Sequence, residues 1–184
     1  MPNVSEVPTG MNRWALFLRG INVGGVKISR SELKETLEGL GLTGVEVYLA
    51  TGNAVVTTAG ADSGLLARCE ESLSRRFAYE AHVLGFPLED LKGLVANWPF
   101  GEARPDVHRY AVLTATPEVQ TELLSQAQKV VSEVEKFAGG NHAVYWEVPK
   151  GLTLDSPLGK LLAKAVFRSQ TTTRNLNTLE KMLQ

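Results

Sequence analysis

The order in which the hydrophobic period changes along this chain limits its folds more than any single motif does. Residues 14–18 form a short continuous apolar run, the pattern of a strand covered on both faces. Ser29-Arg-Ser-Glu32 has the capping-box form, Leu33, Leu37 and Leu40 follow at helical spacing, and Gly39 and Gly41 mark the stop. Val45, Val47 and Leu49 alternate with Glu46 and Tyr48. Thr51-Gly-Asn53 supplies a turn, and residues 54–58 return as the second arm of a hairpin. Asp62 is placed to cap a helix carrying Leu65, Leu66, Cys69, Leu73 and Phe77, and a strand at 81–86 closes the series. This order, β-α-β-β-α-β, is the split β-α-β arrangement of ferredoxin-like domains.

The second half repeats it. Residues 108–114 are strand-like. Val119, Leu123, Ala127, Val130, Val134 and Phe137 fall on one face of a long helix after Pro117, which Gly139-Gly-Asn141 ends. Residues 143–148 and 152–154, joined by Pro149-Lys-Gly151, read as a hairpin. Leu158, Leu161, Leu162, Ala165 and Val166 make another amphipathic helix, residues 171–174 a closing strand, and Leu176, Leu179, Met182 and Leu183 a last helix. The halves share element order but little residue similarity, so the expectation is structural duplication without a sequence repeat. The fold class expected is α+β: two tandem ferredoxin-like (α/β-plait) domains, with antiparallel sheets and helices on one face. Residues 12–98, with a linking helix at 87–98, form the first and 99–184 the second, behind a disordered polar extension at 1–11.

Composition narrows the partners. A net charge of −1 gives no bulk attraction to nucleic acid or to anionic membranes. No apolar run is long enough to span a bilayer. The single cysteine, Cys69, excludes an internal disulfide, and the polar N-terminus lacks the pattern of a secretory signal, so a cytoplasmic location is expected. Cys69 sits on an apolar helix face and reads as core.

Function is sought in the loop that breaks the first apolar run. Arg19-Gly-Ile-Asn-Val-Gly-Gly25 lies between a strand and a helix start, where free backbone N–H groups favour an anion. Arg19 offers a bidentate contact, Asn22 an amide, Gly20, Gly24 and Gly25 close backbone approach, and Lys27 a point charge. Two familiar templates fail. In a P-loop the lysine follows the second glycine directly, whereas here Val26 intervenes, and the glycine spacing does not match G-x-G-x-x-G. Asn53 in its turn and Thr173, Arg174 and Asn175 before the last helix carry similar chemistry. Asn53 also suits a simple hairpin turn, and Thr173 or Asn175 a helix cap. None of these segments offers a histidine, cysteine or carboxylate set for catalysis, which favours binding over acid–base chemistry. Tyr48 and Glu32 are the nearest titrating groups, and Glu32 reads as a capping residue. His82, His108 and His142 lack metal-ligand spacing, so no metal is expected, and no cofactor. An RNA-binding sheet would need exposed aromatics on its central strands, and residues 54–58 contain none.

"ALFLRGINVGG" at 15–25, "VYLATGN" at 47–53 and "TTRNLNT" at 172–178 together resemble the bacterial domain of unknown function 1697 family, whose pattern is LLRGINVGG, then YIQSGN, then TTRNWNT. The resemblance covers residues 12–184 and implies two α/β-plait domains and no established activity. The matching positions are Arg19, Gly20, Asn22, Gly24, Gly25, Gly52, Asn53, Thr172, Thr173, Arg174, Asn175, Asn177 and Thr178. Ala50 and Thr51 replace Gln-Ser, Leu176 replaces Trp, and residues 152–158 lack the basic residue that the family often carries there.

The leading expectation is therefore a module that binds a small anionic or oxygen-rich ligand, with Arg19 and Arg174 as clamps and the amides as orienting groups. The alternatives are an enzyme of phosphoryl or glycosyl type and an RNA- or protein-interaction module. Nucleic acid and membrane are not expected as partners.

Overall fold

The computed structural model describes residues 10–21, 26–48, 52–60, 63–130 and 132–184. They form two compact units, Met1–Leu88 and Glu89–Gln184. The first contains β1 (Met11–Arg19), α1 (Arg30–Glu38), β2 (Thr43–Tyr48), β3 (Asn53–Ala59), α2 (Leu65–Phe77) and β4 (His82–Pro87). Its sheet has the order β2-β3-β1-β4, all antiparallel, which is the ferredoxin-like topology expected.

The apolar run in β1 is buried throughout. Leu16 and Leu18 join Leu33, Leu37, Cys69 and Leu73 in the core under the helices. Ala15 and Phe17, on the opposite face, are also buried, and Phe17 meets Phe86 at 6.3 Å between ring centroids. Ser29 and Glu32 form the capping box read from the sequence, the Ser29 N–H donating to Glu32 Oε2 at 2.9 Å. The cap expected at Asp62 lies outside the described residues, and Gly64 stands at the N-cap of α2.

The second unit takes α3 (Leu88–Ala96), which the sequence reading attached to the first domain, from Glu89 onward. It continues with β5 (Val107–Thr114), α4 (Pro117–Gln128), β6 (Lys136–Gly139), β7 (Ala143–Pro149), α5 (Pro157–Leu162), α6 (Ala165–Arg168), β8 (Thr171–Asn175) and α7 (Leu176–Met182). The order β6-β7-β5-β8 repeats the first topology. Val112, Leu123, Val144, Trp146, Leu158 and Phe167 build a core between this sheet and α4–α6. The two further helices lie toward the other face. The Tyr145 hydroxyl, one residue out of phase with Val144 and Trp146, donates to the Leu94 carbonyl of α3 at 2.7 Å. Arg109, out of phase with Tyr110 and Val112, donates to Asn177 and Glu180 of α7.

Three features of the second half differ from expectation. The helix after Pro117 stops at Gln128, eight residues before β6 begins at Lys136. Val130 and Val134, which by spacing extend its apolar face, are exposed by 46% and 49%. Glu135 settles the matter: it accepts from Trp146 Nε1 and from the Leu158 amide, both at 2.8 Å, and these bonds hold the segment in extended pairing with β7. Consequently β7 pairs with β6 through the turn at 140–142, and residues 152–154 are not a strand. The helix expected over 158–166 is broken at Lys164, whose extended backbone (ψ 141°) separates α5 from α6.

Edge amides and carbonyls are covered by side chains. Glu70 accepts from the Val83 N–H on β4, Arg30 donates to the Val47 carbonyl on β2, and Arg174 donates to the Thr173 carbonyl on β8. Such caps discourage edge-to-edge pairing.

Gly52 occupies a left-handed turn (φ +71°) beneath Ile21 and Leu18, where an added Cβ would meet Ile21 Cδ1 at 2.6 Å and Leu18 Cβ at 2.7 Å. Gly20 has nearly the same φ, +72°, and among the described residues nothing lies within 4 Å of a Cβ added there. Gly20→Ala should therefore cost only the backbone strain, about 1–2 kcal/mol, and Gly52→Ala that plus about 1–3 kcal/mol of overpacking. Urea unfolding of the two variants should show this ranking; equal losses would remove the packing role assigned to Gly52.

Candidate functional site

In the first unit, the sequence candidates separate into structural and exposed groups. Asn53 is fully buried, and its Nδ2 donates to the Tyr48 carbonyl at 3.1 Å, closing the β2–β3 hairpin. Its amide is consumed by the turn. Arg19 ends β1 half-buried, and burial lowers its pKa. Gly20 and Lys27 are exposed on either side of the loop, while Asn22, Gly24 and Gly25 lie outside the described residues.

The two titrating groups nearest that loop are both engaged. Glu32 caps α1, and the Ser29 hydroxyl and backbone bonds hold its carboxyl below the usual range. Tyr48 lines a cavity of about 370 Å³ with Arg30, Ser31, Lys34 and Glu46. Burial, with the 2.6 Å bond donated to Glu46, pushes the Tyr48 phenol up to about 12. A phenol so placed keeps its proton at neutral pH and is a poor general base.

The second unit holds a more complete site. Its pocket, about 500 Å³, is lined by Ala103, Arg104, Pro105, Val107, His108, Arg109, Lys150, Asn175 and Asn177. Among the described residues, three cations, an imidazole and two amides face it, and no carboxylate is in its lining. The sheet register assembles this set. Val107 lies opposite Pro149, and the Lys150 N–H donates to the Asp106 carbonyl at 2.9 Å, so the start of β5 and the end of β7 are side by side. Tyr110 lies opposite Asn175, which brings in the end of β8.

Each side chain is positioned differently. Arg109, with only 15% of its side chain exposed, donates to Asn177 Oδ1 at 2.7 Å and to Glu180 at 3.2 Å, and lies 5.9 Å from the Trp98 ring centroid. His108 packs beside Tyr110, which packs beside Trp146, both at 5.3 Å between centroids. Asn175 caps α7, its Oδ1 accepting from the Asn177 N–H at 2.9 Å and its Nδ2 not engaged in that bond. Arg104 reaches Glu147 Oε1 at 3.1 Å. Lys150 is exposed and has no ion pair among the described residues.

Of the sequence candidates in this half, Asn175 lines the pocket and Thr173 and Arg174 do not. Arg174 donates to Thr172 Oγ1 at 2.6 Å and to the Thr173 carbonyl at 3.1 Å, tying it to its own strand. Arg104, His108, Arg109 and Lys150 were not among the sequence candidates. Their one signal was the spacing of cations around the ends of two strands, and it depended on pairing β5 with β7 correctly.

The family described as protein of unknown function (DUF1697) matches residues 11–145. The chain belongs to that family. No curated protein matches the chain. Among solved structures, a conserved bacterial protein, SP0830 from Streptococcus pneumoniae, is similar at 25% identity and a TM-score of 0.79, over 94% of this chain and 96% of that one. An unknown protein from Galdieria sulphuraria matches at 10% identity and a TM-score of 0.28, covering 90% of this chain and 98% of that one. The ligand-free regulatory subunit of aspartate kinase from Thermus thermophilus matches at 15% identity and a TM-score of 0.25, covering 87% and 97%. No helix among the described residues is long and apolar enough to cross a membrane.

The state of Tyr48 is open to direct check. Because its phenol is raised in the folded protein, the interaction is fully present below pH 10 and is lost as pH climbs toward 12. Phenolate absorbance in an alkaline titration should lose a late-titrating component in Tyr48→Phe; loss of a component near pH 10 would contradict the half-buried, Glu46-bonded assignment.

Proposed function

We propose that the second unit binds a small anion of the phosphate or carboxylate class. The observation that carries this is the convergence of Arg104, Arg109 and Lys150 with Asn175 and Asn177 on one pocket whose lining includes no carboxylate. Arg109 is held in place before any ligand arrives, so little conformational freedom is lost on binding. Lys150 supplies a mobile point charge, and the amides give the directional bonds that a charge alone lacks. Relative to the sequence expectation, the reading keeps Asn175 and moves the cationic partners to Arg104, Arg109 and Lys150.

Binding is favoured over catalysis because the acid–base groups of the lining among the described residues are His108 and Lys150, with no carboxylate beside them to act as a base. A phosphoryl- or glycosyl-transfer reading would have to rest on those two groups.

Thermal unfolding with ethyl phosphate against chloride, at constant ionic strength, tests the proposal. A ligand at one hundred times its Kd stabilises by about 2.7 kcal/mol. Lys150→Ala and Arg104→Ala should each weaken binding about tenfold or more, the scale of one charge-assisted hydrogen bond. A wild-type protein indifferent to phosphate, or variants that respond as it does, would sink the reading.

A further inference from the structure

Next to the basic pocket lies a second cavity of opposite character, and Arg104 and Val107 line both. It has a volume of about 250 Å³, and its wall carries four carboxylates, Asp106, Glu133, Glu135 and Glu147, against two cations, Arg104 and Lys136. Glu135 is held by neutral donors, Trp146 Nε1 and the Leu158 N–H, which leave its charge unopposed. Glu147 has only 3% of its side chain exposed; Arg104 and Lys136 both bond its Oε1 at 3.1 Å. Its Oε2 is buried without a hydrogen-bond partner. A buried carboxylate oxygen left unpaired is costly, and a donor that reaches it recovers that cost.

The wall of the cavity therefore has an excess of negative charge, and one of its residues, Glu147, keeps an unpaired acceptor. Among the described residues, no three or more histidines, cysteines or carboxylates are grouped to hold a metal ion. The chemistry that remains is an organic cation with N–H donors, an ammonium or a guanidinium. Resting on the anion-binding reading of the basic pocket, we propose that the two adjoining cavities take one small bipolar ligand. Its acidic group lies among Arg104, Arg109 and Lys150, and its protonated amine faces Glu147, Glu133 and Asp106. Arg104, common to both walls and already bonded to Glu147, would contact the acidic group while its charge still balances the carboxylate behind it. The ligand class is that of amino acids and aminoalkyl phosphates.

Calorimetric titration of the full chain with O-phosphoethanolamine and with ethyl phosphate separates the two readings, because the probes differ by the ammonium group. The expected result is that O-phosphoethanolamine binds about tenfold more tightly or better. The double substitution Asp106→Asn/Glu133→Gln, at positions outside the packed core, should bring that ratio close to one, and Lys150→Ala should weaken both probes. Equal affinities in the wild type, or a ratio unmoved by the double substitution, would overturn the bipolar ligand while leaving the anion site standing. Failure of both probes to bind would overturn both readings.

Discussion

In the second sheet Val107 lies opposite Pro149 and Tyr110 opposite Asn175, so β5 is gripped by β7 on one side and β8 on the other. Strand pairing has a period of two, and a slip by one residue would exchange the faces of every side chain on β5. Arg109 would then point into the packed layer that holds Trp146 and Val112, and Tyr110 would leave it. The apolar cost of such a slip is large enough to fix the register. The fixed register in turn sets Arg104, Arg109, Lys150 and Asn175 around one cavity. The placement of charge is thus a by-product of core packing, and no loop needs to fold around a ligand to create it.

How well the sequence could be read followed from how local the determining contacts were. The first unit was legible because its signals agree within short windows: the run in β1, the Ser29–Glu32 box, and the turn before Asn53. The second unit was misread where local and long-range signals conflict. Leu123, Ala127, Val130, Val134 and Phe137 mimic a helical face, yet Glu135 is pinned by donors 11 and 23 residues away. No window of helical length contains those partners. A helix extended through Phe137 gives β7 the wrong partner and leaves the cations at the ends of β5 and β7 without a common site.

The candidate residues divide along the same line. The motif stretches at 47–53 and 172–178 contain side chains spent largely on their own backbone: Asn53 on the Tyr48 carbonyl, Arg174 on Thr172 and Thr173, and Asn175 on α7. Such bonds explain why short polar motifs recur at turns and strand ends without implying a ligand. The cations of the pocket belong to no motif. They are drawn from a linker, a strand and a turn, and only the sheet makes them neighbours.

The buried carboxylates bear on the same question from the side of stability. Glu135 and Glu147 each sacrifice hydration; Glu135 recovers it through the neutral donors Trp146 Nε1 and the Leu158 N–H, whereas the buried ion pairs of Glu147 rarely repay that cost better than apolar groups of similar volume would. Glu135 has a structural return, since it fastens β6 and α5 through Trp146 and Leu158. Glu147 does less for the fold. It gathers two exposed cations onto one oxygen and leaves the other unpaired, although a neutral residue at that strand position would avoid the penalty. Its consequence is electrostatic: it steadies Arg104 at the wall between a basic and an acidic cavity. A residue that costs stability and mainly shapes the field of a cavity is better explained by the ligand proposed for that cavity than by packing.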